Sequence, residues 1–127
     1  MPGYFFAFWG AVFAGLAVVF GAFGAHALKN TLDAYSLSIW EKAVFYQVIH
    51  ALALLLLPLY AEQIGARATS FTGGLFIAGI FLFSGSLYIL AFTGKKYFGA
   101  ITPVGGVAFI IAWGWLAVSL MKSAMAS

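Results

Sequence analysis

The side chains able to do acid–base or metal chemistry are few: two histidines, three carboxylates and no cysteine. His26 and His50 lie inside long uncharged runs, whereas Asp33, Glu41 and Glu62 lie outside them. A zinc site needs three or four ligands gathered at one point, and a Ser–His–Asp triad needs an acid beside its histidine. Neither can be assembled from groups so separated. Bis-histidine haem ligation needs both rings at one depth, and along the helix axes His26 misses His50 by roughly 7–15 Å. Proton or cation pumping ordinarily uses a carboxylate within a span, and the long runs hold none. The glycines form no phosphate loop or dinucleotide fingerprint. The sequence therefore names no catalytic residue, no metal site and no cofactor.

What it does offer is a polar layer. Gln47 and His50 stand about two and three turns beyond Ser38, with Tyr46 beside them; Ser84 and Ser86 flank Gly85, with Tyr88 half a turn on. Counting back from Gly94 puts the serines roughly 12–15 Å in, and His50 comes roughly 16–18 Å below Ser38. Gln47, His50, Ser84 and Ser86 thus share one depth, and with His26 they are the candidate intramembrane site. Such groups act either as interhelical glue, worth about 1 kcal/mol each, or as the lining of a small polar cavity. Glue is the commoner role. For His26, a hydrogen bond to a loop carbonyl or to headgroups is expected.

The elements that carry these residues follow from composition. Hydrophobic residues make up 65 % of the 127-residue chain and charged residues 7 %, against roughly 45–50 % and 25 % in soluble domains. The nine charges cut out four uncharged runs, Met1–Leu28, Ala43–Ala61, Ala68–Gly94 and Tyr97–Met121. Each supplies the ~20 apolar residues that cross a bilayer as a helix. Ala25-His26-Ala27 resembles a signal-peptide cleavage site, but the apolar stretch before it exceeds the ~7–15 residues of such a segment and no Lys or Arg precedes it. The expectation is an all-α integral membrane four-helix bundle of up-down-up-down topology. It forms a single transmembrane domain over residues 1–127, with spans at about 4–28, 39–60, 71–93 and 103–121.

Local signals place the ends. Ser38-Ile39-Trp40-Glu41 reads as a capping box opening the second helix, with Trp40 at headgroup depth and Pro58 kinking the last turn. Thr69 or Ser70 caps the third helix, and Gly94 ends it. Thr102-Pro103 reads as an N-cap followed by proline at the first helical position. Ala7, Ala11, Ala14, Gly21 and Ala25 form a small-residue stripe on the first helix. Gly74, Ala78 and Gly85 do so on the third, and Gly105, Ala108 and Ala112 on the fourth. Small residues let membrane helices approach closely enough to gain dispersion contacts.

The net charge of +3 is no nucleic-acid footprint, because the six basic residues are spread over the span ends instead of clustering on one face. Lys29, Lys42, Lys95 and Lys96 fall on the side of the first and third loops, Arg67 and Lys122 on the side of the termini. The positive-inside rule then puts the Lys-bearing loops in the cytoplasm and both termini outside. No internal repeat of the kind that marks transporters stands out.

Four blocks carry a resemblance: Gly21 through Leu28, Trp40 through Tyr46-Gln47 to His50-Ala51-Leu52, Leu82 through Tyr88, and Ile101 through Gly106. Together, in this order, they resemble the small bacterial membrane proteins of domain-of-unknown-function family 423, relatives of animal transmembrane protein 256. The resemblance implies a four-span protein of the bacterial inner membrane and implies no activity. His26, Gln47, His50 and the two serines fall within those blocks.

The expectation is a non-enzymatic protein that acts by packing among membrane lipids, as an accessory or assembly partner of a membrane complex or as a small homo-oligomer. The alternative is a transporter, channel or lipid- or small-molecule-binding protein using the polar layer around His50. That would require a water-accessible polar cavity open toward the Lys-bearing loops.

Overall fold

The computed structural model describes residues 2–127, with side chains from Tyr4 onward. Four long apolar helices make a helical bundle: α1 (Tyr4–Leu28, its first turn reaching back to Pro2), α2 (Ala34–Ile64), α3 (Ala66–Thr93) and α4 (Tyr97–Ala126). No strand occurs among the described residues. Every backbone amide that enters hydrocarbon must be paired within its own segment, and four such rods meet that condition.

Three helix starts differ from expectation, each for a local reason. Asp33, in extended conformation, accepts from the Ser36 backbone N–H at 2.7 Å and starts α2 at Ala34. That N–H, with the Ser36 hydroxyl adding to it, holds the Asp33 carboxyl below its ordinary range. Asp caps as well as Ser does; the Ser38 box does not form, and the Ser38 hydroxyl instead bonds the Tyr35 carbonyl at 2.6 Å. Gly65, at φ 89°, breaks the helix so that α3 starts at Ala66. Thr69 then lies inside the helix, its hydroxyl bonding back to Gly65 O at 2.7 Å. α4 starts at Tyr97, which leaves Pro103 within the helix. Beside it, the Thr102 hydroxyl ties this turn sideways to the Ser86 hydroxyl of α3, at 2.6 Å. Gly94 ends α3 in the left-handed conformation at φ 68°, as expected. Pro58 lies in a tightened 3-10 turn, Leu57–Tyr60, beyond which α2 continues to Ile64.

α1 packs on α2, α4 packs on α3, and α2 and α3 pack on each other, whereas α1 and α4 make no extensive contact. Between α1 and α2 the paired positions run in opposite senses: Gly10 meets Ala51 and Leu55, Phe13 meets Gln47, and Phe20 meets Trp40. A methyl group on Gly10 would sit 2.7 Å from both Ala51 O and Leu55 N, so only glycine permits this approach. Phe6 of α1 lies over Gly73 of α3, Phe109 of α4 lies over Gly79, and Gly105 touches the Phe83 backbone. The fourth-helix stripe of Gly105, Ala108 and Ala112 is therefore buried inside the bundle. Gly74 faces open space instead, with Gly73 and Gly79 taking the packing role on α3.

Two turns widen to π-helical geometry, Val19–Gly24 in α1 and Ile80–Gly85 in α3. Both lie at close contacts. In α1 the widened turn bonds Phe20 O to the Ala25 N–H and leaves room for a second donor, the Trp40 indole at 2.8 Å. Trp40 is accordingly buried in the bundle, its ring against Phe20 and Tyr88. Large apolar side chains cover the outside, Phe5, Phe23 and Ile110 among them. Such a surface requires hydrocarbon as solvent.

Candidate functional site

The polar side chains form separate bridges at different levels: Ser84 meets α2 at Ala43, seven residues, or roughly 10 Å along the helix, from His50. Gln47 is buried between three helices: its Nε2 donates to Phe13 O of α1 at 2.8 Å, and its Oε1 accepts from the Tyr88 hydroxyl of α3 at 2.6 Å. Ser84, fully buried at the end of the widened α3 turn, donates to Ala43 O of α2 at 2.8 Å. Ser86, two residues on, faces the other way, toward Thr102 of α4 and its own Phe83 carbonyl.

His50 faces α4. Its ring stacks on Phe109 with centroids 3.5 Å apart and planes within 9°. Trp113 Nε1 lies 3.0 Å from His50 Nε2, and His50 Nδ1 lies 2.7 Å from Tyr46 O. An indole N–H can only donate and a carbonyl can only accept. The two partners therefore specify the neutral tautomer with the proton on Nδ1. Both nitrogens are then occupied, and no lone pair is left for a metal, a haem or a substrate proton.

Of the five candidate residues, Gln47, His50, Ser84 and Ser86 are buried, and none of the four bonds another. His26 is exposed near the end of α1 and takes no part. Their true partners are Tyr88, Trp113, Thr102 and main-chain carbonyls. Trp113 escapes a linear reading because a tryptophan late in an apolar run looks lipid-facing, and nothing in the pattern says that α4 turns it toward α2. Thr72 carries no signal either: it is fully buried on α3 and its hydroxyl has no partner. A small cleft of about 160 Å³ touches Gln47 and Tyr88, but its other walls are Phe13, Leu16, Phe20, Ile80 and Phe81. No group of three or more metal-ligating side chains occurs among the described residues.

Four apolar helices tied across their interior by hydrogen bonds, with hydrophobic side chains outward, define a multi-pass membrane protein. The chain belongs to the family described as protein of unknown function (DUF423), whose family model matches residues 20–106; the four sequence blocks that carry the resemblance all lie in that span. It is similar to UPF0382 membrane protein SSP2132 of Staphylococcus saprophyticus, 48 % identical over 113 residues, covering 89 % of this chain and 93 % of the relative. It is similar also to UPF0382 membrane protein SAB0533 of Staphylococcus aureus, 47 % identical over 115 residues, 91 % and 93 % of the two chains. A third relative, UPF0382 membrane protein YwdK of Bacillus subtilis, is 46 % identical over 114 residues, 89 % and 93 %. No solved structure matches the chain significantly.

Proposed function

We propose that this protein is a non-enzymatic packing module of the bacterial inner membrane, acting through its outer surface on a partner membrane protein or a second copy of itself. The observation that carries the reading is the state of His50. Among the described residues, the buried histidine is the group best suited to proton or ligand chemistry, and both its nitrogens are engaged, by Trp113 and Tyr46. A side chain so engaged ties α2 to α4. Gln47 and Ser84 support the same reading, since each is bonded within the bundle.

The outer surface supplies places for a partner. Gly15, Gly74 and Gly114 have open space where a side chain would stand. A groove of about 340 Å³ between α1 and α2 is lined by Gly21, Ala25 and Val44, with Phe45 and Val48 alongside. Helices that approach through small residues gain dispersion contacts that lipid tails do not match. In the proposed arrangement the four helices cross in alternating directions, with the Lys-bearing loops in the cytoplasm and both termini outside, as the distribution of Lys and Arg favours.

The chain contains no cysteine, so single variants at Ala25, Gly74 and Gly114 to Cys can be cross-linked in native membranes without background. A discrete product at twice the chain's mass, or with a second protein, is expected from at least one position. Monomer alone from all three positions, together with a lone monomer in nanodiscs, overturns the reading.

A further inference from the structure

The membrane face that carries the α2–α3 connection and the end of α4 holds two of the six basic residues, Arg67 and Lys122. Both line one cavity of about 440 Å³, together with Gln63, Ser119, Ser123 and Trp115. The other four cations lie at the opposite ends of the helices, and none of them lines it.

Three features of this cavity act in the same direction. Arg67 offers a planar fork of donors and Lys122 a mobile point charge, the pair of geometries that suits phosphate oxygens. Ser119, Ser123 and Gln63 add neutral donors. Finally, α3 begins beside it: Gly65 supplies no side-chain cap, so the amides of Arg67 and Ala68 in the first turn lack intrahelical acceptors and add partial positive charge. Glu62, the acid nearest in sequence, is not among the lining residues.

The cavity also touches the lipid-facing surface. Trp115 forms part of its wall and packs against Phe71 of α3 at 4.7 Å between centroids, both rings being exposed. An anionic group held by the cations would have an apolar path running away from it along these rings.

We propose that this cavity is a binding site for a phosphate ester at the membrane surface, with Arg67 and Lys122 as its charged ligands and Trp115 flanking an attached acyl chain. The site is distinct from the Gln47–His50 layer and does not depend on the packing role. Basic pockets between membrane helices on the cytoplasmic side hold anionic headgroups in this way, and the same chemistry serves a headgroup on the face that the proposed orientation puts outside. A free phosphate would use the same cations without Trp115.

The test is native mass spectrometry of the intact protein in neutral detergent, titrated with phosphatidylglycerol, with phosphatidylcholine, or with inorganic phosphate. Retention of phosphatidylglycerol over phosphatidylcholine is expected. It should weaken about fivefold for each cation removed in Arg67→Gln and Lys122→Gln, and survive in Arg67→Lys. Trp115→Ala should weaken the lipid and leave inorganic phosphate unaffected. Displacement of the lipid by inorganic phosphate, with no loss in Trp115→Ala, keeps the phosphate site but overturns the lipid arm. Lys95→Gln/Lys96→Gln removes equal charge from the other face and should change binding less than twofold. Equal losses from that control, or wild-type retention in Arg67→Gln/Lys122→Gln, overturn the proposal; circular dichroism verifies that each variant is folded.

Discussion

Toward the termini, α1 meets its neighbours by shape: Phe6 over Gly73, and Gly10 against the backbone of Ala51 and Leu55. Around these contacts lies a core of Leu54, Leu57, Phe76 and Ile80. Toward the Lys-bearing loops the same helix is tied by hydrogen bonds, Trp40 to Phe20 O and Gln47 to Phe13 O, and Tyr88 bonds Gln47 from α3. The core there is smaller, built on Ile39, Trp40, Ala43, Leu87 and Ala91. Apolar side chains lose little by facing lipid, so burial alone does not choose which helices pair. Close approach and directional hydrogen bonds are the two remaining means. Each half of this bundle leans on one of them, and the His50–Trp113 bond and the Gly105 contact carry both means across to α4.

The largest effect is expected where shape has no slack. Gly105→Leu would drive a side chain into the main chain of Leu82 and Phe83, which cannot move aside as a flexible side chain can. A loss of about 3 kcal/mol or more is expected, read by denaturation in mixed micelles. Gly74→Leu enters open space and should cost less than about 0.5 kcal/mol. Similar costs for the two would mean that glycine contacts do not hold α3 and α4 together.

His50→Leu comes next, at about 1–2 kcal/mol, because it leaves the Trp113 indole without its acceptor and removes the stack on Phe109. The emission of Trp113 should shift with it. Unaltered stability accompanied by a lost cellular phenotype would instead mark His50 as a site and count against a packing role.

Two conservative variants separate the halves further. Tyr88→Phe removes one donor to Gln47 and should destabilise by about 0.6–1 kcal/mol. Thr72→Val exchanges an unpartnered hydroxyl for a methyl of similar shape, and should leave stability equal or raise it by up to about 1 kcal/mol. A clear loss at Thr72 would show that the terminal half also uses a hydrogen bond.

The smallest effect lies outside both halves. The carboxyl of Asp33 is lowered by the Ser36 N–H, so the charged form is favoured in the folded state. Its contribution is fully present above the unfolded value, about 3.9, and is lost as pH falls through the lowered folded value. The protection of the Ser36 amide, measured against its intrinsic exchange rate, should fall over that acid range, and Asp33→Ala should abolish this change in protection while leaving that of Gln47 unchanged.

Much of the architecture is legible in the linear chain, and the failures have physical causes. Gly94 marks the end of α3 correctly because only a left-handed residue satisfies the last carbonyls of such a helix cheaply. Ser38 and Pro103 mislead because a capping pattern or an N-terminal proline signals a start only if no better start lies upstream. Asp33 outcompetes the first, and the turn from Tyr97 carries the helix past the second. That Gln47, His50, Ser84 and Ser86 lie well inside the long helices follows from counting residues along the chain, but their relative levels do not: Ser84 meets α2 at Ala43, about two turns from His50. Nor do their partners, since rotation of one helix about its axis against another leaves no trace in spacing.

The sequence alone settled the solvent and the element type: long uncharged runs are tolerated only in hydrocarbon, and there the backbone must satisfy itself as helix. It also settled that polar side chains within the long runs would be few. Only the tertiary structure decided that those side chains point into different interfaces, that Trp113 closes the second nitrogen of His50, and that Arg67 and Lys122, 55 positions apart in the chain, line one cavity. Interfaces between helices depend on which faces meet, and that choice is made by contacts between residues far apart along the chain.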